Sequence, residues 1–255
     1  MISLRWCCSI VLAAGVLLGS GLPVRAAYRS AVVVRDYAAA RPTAYVADLT
    51  FDKGALHMET SRFSGGAADT DLIYNIRERK VWHIDHTDRS YVEVDEHTAV
   101  WLSDGFNSAV DVIGAWWSGE EKPPVPLTTL PTGAKREVQG VPCQGYEIRR
   151  GDTLIQTVWL TSWDNAGLTP EAFGAVRRLA LSSDSMLKSM QANPLMGGLP
   201  YLPLSGVAGL DGYPVVIRHY QGDRVAYEII LPPPTETEDN PSGFKLAPGY
   251  TRKLM

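Results

Sequence analysis

The chain has 255 residues, 45% of them apolar and 20% charged, with a formal net charge of −4 and three cysteines. A mildly acidic chain without a basic stripe argues against docking on nucleic acid, because counterion release needs clustered cations. It argues equally against electrostatic attachment to an anionic lipid surface, while its apolar share is enough to bury a sizeable core without disulfides.

Residues 1–26 have the three-part layout of a secretory signal. Arg5 gives a short basic start, Ile10 to Leu18 is an uncharged apolar run, and Gly21-Leu22-Pro23 makes a turn. Small residues around Ala26 mark a cleavage point, and the run is short for a bilayer span. The alternative weighed against it is a retained N-terminal anchor. Cys7 and Cys8 precede the apolar run, so neither is placed as the lipid-modified cysteine of a lipobox. Cleavage near Ala26 would release a periplasmic protein with no stable membrane span. Lys+Arg would fall from 24 to 22 against 28 Asp+Glu, taking the charge to −6 and leaving Cys143 without a partner in its own chain.

Alternation dominates the next segment. "PTAYVADLTF" and "ALHMETSRF" flank Asp52-Lys53-Gly54, a hairpin signal with Gly54 expected at positive φ. "DLIYNI", "KVWHID" and "SYVEVD" follow, separated by polar connectors around Arg77–Arg79 and His86–Arg89. Leu72, Tyr74 and Ile76 share one face of their strand, and Val92 and Val94 share one face of theirs. The pattern predicts an antiparallel meander with one apolar face. The period then lengthens: Leu102, Phe106, Val110, Ile113 and Trp117 recur at three- and four-residue steps, predicting an amphipathic helix over 98–117. Pro123, Pro124 and Pro126 end it, and "SGEEKPPVPLTTLPTG" reads as a crossing linker within the domain, in preference to a boundary between two halves.

A second cycle repeats strand, strand, helix. "AKREVQG", "CQGYEIRR" and "TLIQTVWLTSW" alternate, the last two joined at Gly151-Asp152. Thr169-Pro170-Glu171 supplies an N-cap, a first-turn proline and an acid for the helix dipole. Phe173, Val176, Ala180 and Leu187 mark the buried stripe of that second helix, and Asn193-Pro194 stops it. The apolar, Gly- and Pro-rich segment from Leu195 to Leu210 is long for a connection inside a domain, and such loops are often functional. "YPVVIRHY" and "RVAYEIILP" form a last hairpin around Gly222-Asp223, and "SGFKLAPGYTRKLM" adds one short edge strand. Residues 27–255 therefore read as a single α+β domain, a large antiparallel sheet with two helices on one face.

Several of these features coincide with a known family. They are "LIYNIRERKVWHIDHTDRSYVEVD" running into a helix, the G-x-x-C-x-x-Y of Gly140, Cys143 and Tyr146, "TVWLT" before a second helix, and a closing "FKLAPGY". Together they resemble an exported bacterial domain-of-unknown-function family in the LolA/LolB-like superfamily of outer-membrane lipoprotein carriers. The resemblance implies a half-open antiparallel β-barrel, a large curved sheet whose concave face is covered by two main helices. It also implies an apolar cavity that holds a lipid or a lipoprotein acyl chain.

No catalytic template is present: the chain lacks G-x-S-x-G, H-E-x-x-H and a phosphate-cradling glycine loop. The reading is therefore non-enzymatic, with no cofactor. "HIDHTD" places His83, Asp85, His86 and Asp88 close together, with His97 downstream. Their face alternation does not make them converge, and the stretch reads as a solvated turn rather than a metal site. Met and aromatic side chains suit flexible acyl chains. Leu195, Met196, Leu199, Tyr201 and Leu202 would line the cavity mouth, with Trp101, Phe106, Val110 and Ile113 as the opposite wall; ordinary packing is the competing explanation for both sets. The function expected is carriage of a hydrophobic ligand. The alternative is an interaction module with a closed core that binds another envelope protein. Cys143, with no His near it in sequence, is expected as a small buried hydrophobe in a strand, with intermolecular pairing or redox sensing as the alternative.

Overall fold

The computed structural model describes residues 27–38, 41–60, 69–95, 126–180, 205–207, 209–238 and 243–253. Ten strands among them run β1 Ala27–Asp36, β2 Thr43–Phe51, β3 Ala55–Thr60, β4 Thr70–Asn75, β5 Lys80–Asp85, β6 Ser90–Asp95, β7 Leu127–Val138, β8 Val141–Arg150, β9 Thr153–Thr161 and β10 Tyr213–Gln221. Arg224–Ile230 (β11), Thr235–Thr237 (β12) and Thr251–Lys253 (β13) complete the set. All thirteen belong to one sheet in the order β13-β6-β5-β4-β3-β2-β1-β11-β10-β9-β8-β7, with β12 alongside β1. Every pairing is antiparallel except β13 on β6.

The expected meander β2 to β6 is present, and its turns show how short polar residues shape it. Asn75 Oδ1 accepts from the amides of Arg77 and Glu78, and Asp85 Oδ1 accepts from those of Thr87 and Asp88. Two successive hairpins thus use the same side-chain-capped turn, each closing on an arginine in the left-handed region, Arg79 and Arg89. At the β2–β3 turn the expectation for Gly54 fails, since it is not among the positive-φ glycines. Asp52 makes that turn instead, its carboxylate accepting from Gly54 N at 2.6 Å and Ala55 N at 2.7 Å. Gly140 does need its flexibility: with Gln139 at φ 52° and Gly140 at φ 78°, both turn residues are left-handed, which closes β7 onto β8 in two residues.

Register aligns side chains into rows across the sheet. One apolar row runs Tyr45, Val34, Ile229, Ile217, Val158, Tyr146 from β2 to β8. Another runs Leu49, Met58, Leu72, His83, Val92 from β2 to β6. These rows belong to one continuous core on one face, where each fully buried aliphatic contributes about 1.5–3 kcal/mol. The opposite face carries polar rows. Arg35, Glu228 and Arg218 stand side by side on β1, β11 and β10, with Glu228 accepting from Arg35 at 2.7 Å and from Arg218 at 2.8 Å.

The half-open barrel with two main helices over a concave face is not what forms. The sheet is open and mixed, and among the described residues one short helix is seen, α1 over 174–180. Closure would need the free edges of β6 and β7 to meet. The C-terminal β13 occupies the β6 edge, and the β7–β8 register is broken between Pro131 and Lys135. Thr169 Oγ1 accepts from Ala172 N at 3.3 Å, but in a turn that precedes the helix, and α1 itself begins only at 174, later than the Thr169-Pro170-Glu171 signal implied; Phe173, Val176 and Ala180 are buried as expected. The predicted first helix, 98–117, and Leu187 of the second lie outside the described residues. Part of the expected crossing linker, from Leu127, is strand β7. β7 is one end of the sheet order and β6 lies next to β13 at the other, and the residues that connect them, 96–125, lie outside the described residues. No helix among the described residues is long and apolar enough to cross a membrane.

Candidate functional site

A cavity of about 520 Å³ opens where β7, β8 and β9 end. The tight Gln139-Gly140 turn fixes the pairing Lys135 with Gln144 and Arg136 with Cys143, so one hairpin places two cations beside an apolar and amide-bearing strand. β8 supplies Pro142, Cys143, Gln144 and Tyr146, and β9 supplies Leu160 and Thr161. Ser162, Asn165 and Asp211 close the far side. Cys143 and Tyr146 of the G-x-x-C-x-x-Y motif thus line the cavity, and Gly140 makes the turn that builds it.

The walls are held by specific contacts. Thr161 Oγ1 donates to Pro142 O at 2.8 Å, and Trp163 Nε1 donates to Asp211 Oδ1 at 2.8 Å. Arg136 lays its guanidinium over the Trp159 ring, 3.8 Å from the centroid, a cation–π contact that fixes an otherwise flexible side chain. Trp159 lies against Gly145, where an added Cβ would come within 3.3 Å of the ring and 2.7 Å of Thr132 Oγ1. Glycine is therefore required there by close approach. Cys143 is 4% exposed, and its thiol donates weakly to Val141 O at 3.5 Å. Burial pushes its pKa up, against the nearby Arg136 charge that pulls it down. A covered sulfur with a raised pKa is the environment of a protonated, structural thiol.

A second cavity, of about 360 Å³, lies on the polar face and is lined by Asp48, Glu59, Thr60, Asp69, Asp71 and His86. Asp71 Oδ2 lies 3.0 Å from His57 Nε2 and 2.8 Å from His86 Nε2, and His86 Nδ1 lies 2.6 Å from the Tyr250 hydroxyl. Burial pushes the Asp71 carboxyl up, but the two imidazole hydrogen bonds outweigh it and hold the group below the usual carboxylate range. Lys253 on Asp88 at 2.9 Å, Arg252 on Glu93 at 3.4 Å, and Leu246 and Tyr250 packed on Ile73, Trp82 and Ile84 extend this contact. The cluster fastens the C-terminal segment to the meander. Among the described residues, no group of three or more His, Cys, Asp or Glu is arranged to hold a metal ion.

The residues of "HIDHTD" are dispersed. Asp85 caps its turn, Asp88 pairs with Lys253, and His86 faces Asp71 and Tyr250 rather than only solvent. His83 points to the apolar face, 2% exposed. His97 lies outside the described residues. So do all nine residues expected to line an apolar cavity: Trp101, Phe106, Val110, Ile113, Leu195, Met196, Leu199, Tyr201 and Leu202. The described end of that loop, Ser205–Val207 and Leu210, is seated on the sheet, with Gly206 against Gln156 and Ile148. The sequence reading missed Lys135, Arg136 and Trp159 as site residues. The signal was available in Gln139-Gly140: a two-residue turn fixes which residues of the hairpin stand opposite each other.

No family model matches the chain, and no curated protein matches it. Among solved structures the chain is similar to an uncharacterized conserved protein from Thermus thermophilus, at 6% identity and a TM-score of 0.48, over 90% of this chain and 91% of that one. It is also similar to PNGF-II in two crystal forms, at 7% and 6% identity with TM-scores of 0.38 and 0.39. Those matches cover 89% of this chain but only 31% and 32% of PNGF-II. At these scores the likeness assigns neither a fold family nor an activity.

Proposed function

We propose that this chain is an exported, periplasmic, non-enzymatic protein that binds or carries a hydrophobic or amphiphilic molecule, such as a lipid or a lipoprotein acyl chain. One observation carries the reading. The 520 Å³ cavity shares Cys143, Leu160 and Tyr146 with the continuous apolar core, and Asp211, the residue after the apolar 195–210 loop, is also in its lining. Its volume is in the range of small-molecule sites. Burial of an acyl chain there would supply about 25 cal/mol per Å² before the costs of association. Kinship with the LolA/LolB-like superfamily is proposed on the sequence motifs alone. Organic extraction of the protein purified from periplasm, followed by mass spectrometry, should release lipid in stoichiometric amount. An empty extract, together with no binding of a fluorescent fatty-acid probe, refutes the reading.

A second reading, an envelope interaction module, rests on a different observation. β7 is an edge strand exposed over nearly its whole length, with Leu127 41% and Leu130 46% exposed. Pull-down from envelope extracts with Leu127→Asp/Leu130→Asp as control tests it: a partner lost in the variant supports it, and equal capture by both proteins rejects it.

A further inference from the structure

We propose that Lys135 and Arg136 form an oxyanion-binding corner of the β7–β9 cavity, so that the ligand is an amphiphile with an anionic head. This rests on the apolar-ligand reading above and names the chemistry of its head group. Both cations line the cavity, and neither has an ion-pair partner among the described residues. Other cations of the same sheet are paired, Arg35 and Arg218 with Glu228, Arg149 with Glu147 and Lys80 with Glu93; Lys135 and Arg136 instead share the exposed state of Arg150 and Arg224 but stand at a cavity. The carboxylate on the described cavity wall, Asp211, is engaged by Trp163 Nε1.

The guanidinium is also prepared for such a ligand. Stacking on Trp159 fixes its plane and leaves its edge N–H groups to donate in a fork, the geometry that matches a carboxylate or phosphate. Less of its side-chain entropy remains to be lost on binding. Gln144 and Asn165 add neutral amide donors, and Leu160 adds apolar lining to the same cavity.

The test uses the full mature protein and three probes: dodecanoate below its micellar concentration, neutral monododecanoyl glycerol, and inorganic phosphate. Binding is measured by calorimetry at low and high salt. The Lys135→Gln/Arg136→Gln variant should bind dodecanoate about tenfold or more weakly, with the neutral ester unchanged, and the native affinity for dodecanoate should fall with salt. Lys135→Gln alone, which keeps the Arg136–Trp159 stack, should show a smaller loss in the same direction. Equal dodecanoate affinity in native and double-variant protein overturns the corner and leaves the apolar-ligand reading standing. Phosphate binding that is lost in the double variant, with neither lipid bound by the native protein, keeps the corner as a site for a free oxyanion and refutes the apolar-ligand reading. No binding of any probe refutes both.

Discussion

Replacing His83 with leucine should stabilise the protein. His83 is the one polar residue in the row Leu49, Met58, Leu72, His83, Val92, and it is 2% exposed. Its Nε2 has no hydrogen-bond partner among the described residues. A buried polar atom left unsatisfied costs about 1–3 kcal/mol, and leucine of similar size should cost less than about 1.5 kcal/mol in repacking. The net expectation is a gain of about 1 kcal/mol, or about 2–4 °C in Tm for a domain of this size. The pH dependence adds a sharper check. Burial lowers the His83 pKa from its ordinary 6.5, against the pull of Asp85 and Asp71 upward. A base with a depressed folded pKa binds its proton more readily when unfolded, so native stability falls as pH drops below 6.5, until the folded pKa is reached. His83→Leu removes that loss. Urea unfolding of both proteins at pH 7.5, 6.5 and 5.5 should therefore show the gap widening toward acid, by at most about 1.4 kcal/mol per pH unit. A variant less stable than the native protein at pH 7.5, or a gap that does not change with pH, would refute the reasoning.

Glu228→Gln should lose about 1–2 kcal/mol in urea unfolding, less than for a fully buried pair because Arg35 and Arg218 are 45% and 39% exposed. Burial pushes Glu228 up, but the two guanidinium hydrogen bonds hold its pKa below the ordinary 4.5, so its contribution is present above pH 4.5 and lost as pH falls through the lowered value. The native protein, not the variant, should show that acid loss. Gly206→Ala should cost about 1–3 kcal/mol, because the new Cβ would run into Gln156 Oε1 and come within 2.8 Å of Ile148 Cδ1. Gly209→Ala meets nothing within 4 Å and serves as the control; equal urea midpoints for the two would mean that 205–207 is not seated over β8 and β9. Cys143 should react with a maleimide only after denaturation, and rapid labelling of the native protein would contradict its burial and raised pKa.

Alternation alone placed β2 to β6 and β8 to β11 and showed the apolar faces of β4 and β6, because a period of two is a property of the strand itself. Leu72, Tyr74, Val92 and Val94 all face the core as read. The Thr169 turn ahead of α1 was equally local, since Thr169 needs only the amide three residues on. β1 was not recognised, although "AVVV" is β-prone, and it proves to be the strand that joins the two halves of the sheet through β2 and β11. Its importance lies in pairing partners about 190 residues away in the chain, which no local pattern encodes.

What only the tertiary structure decided follows from the same limit. Whether a sheet closes depends on which free edges meet, and β13, three residues at the far end of the chain, takes the β6 edge. Asp71, His57 and His86 sit on two strands and a turn, and Tyr250 reaches them from the C-terminal segment. The Arg136–Trp159–Gly145 stack likewise needs β7, β8 and β9 side by side. The sequence by itself determined the strand periodicity, the position of the hairpins and the apolar face of β4 and β6, because these act through bonds and neighbours a few residues apart. The open edges and the cation-lined cavity were decided by register between distant strands, where side chains far apart in the chain are brought within contact of one another.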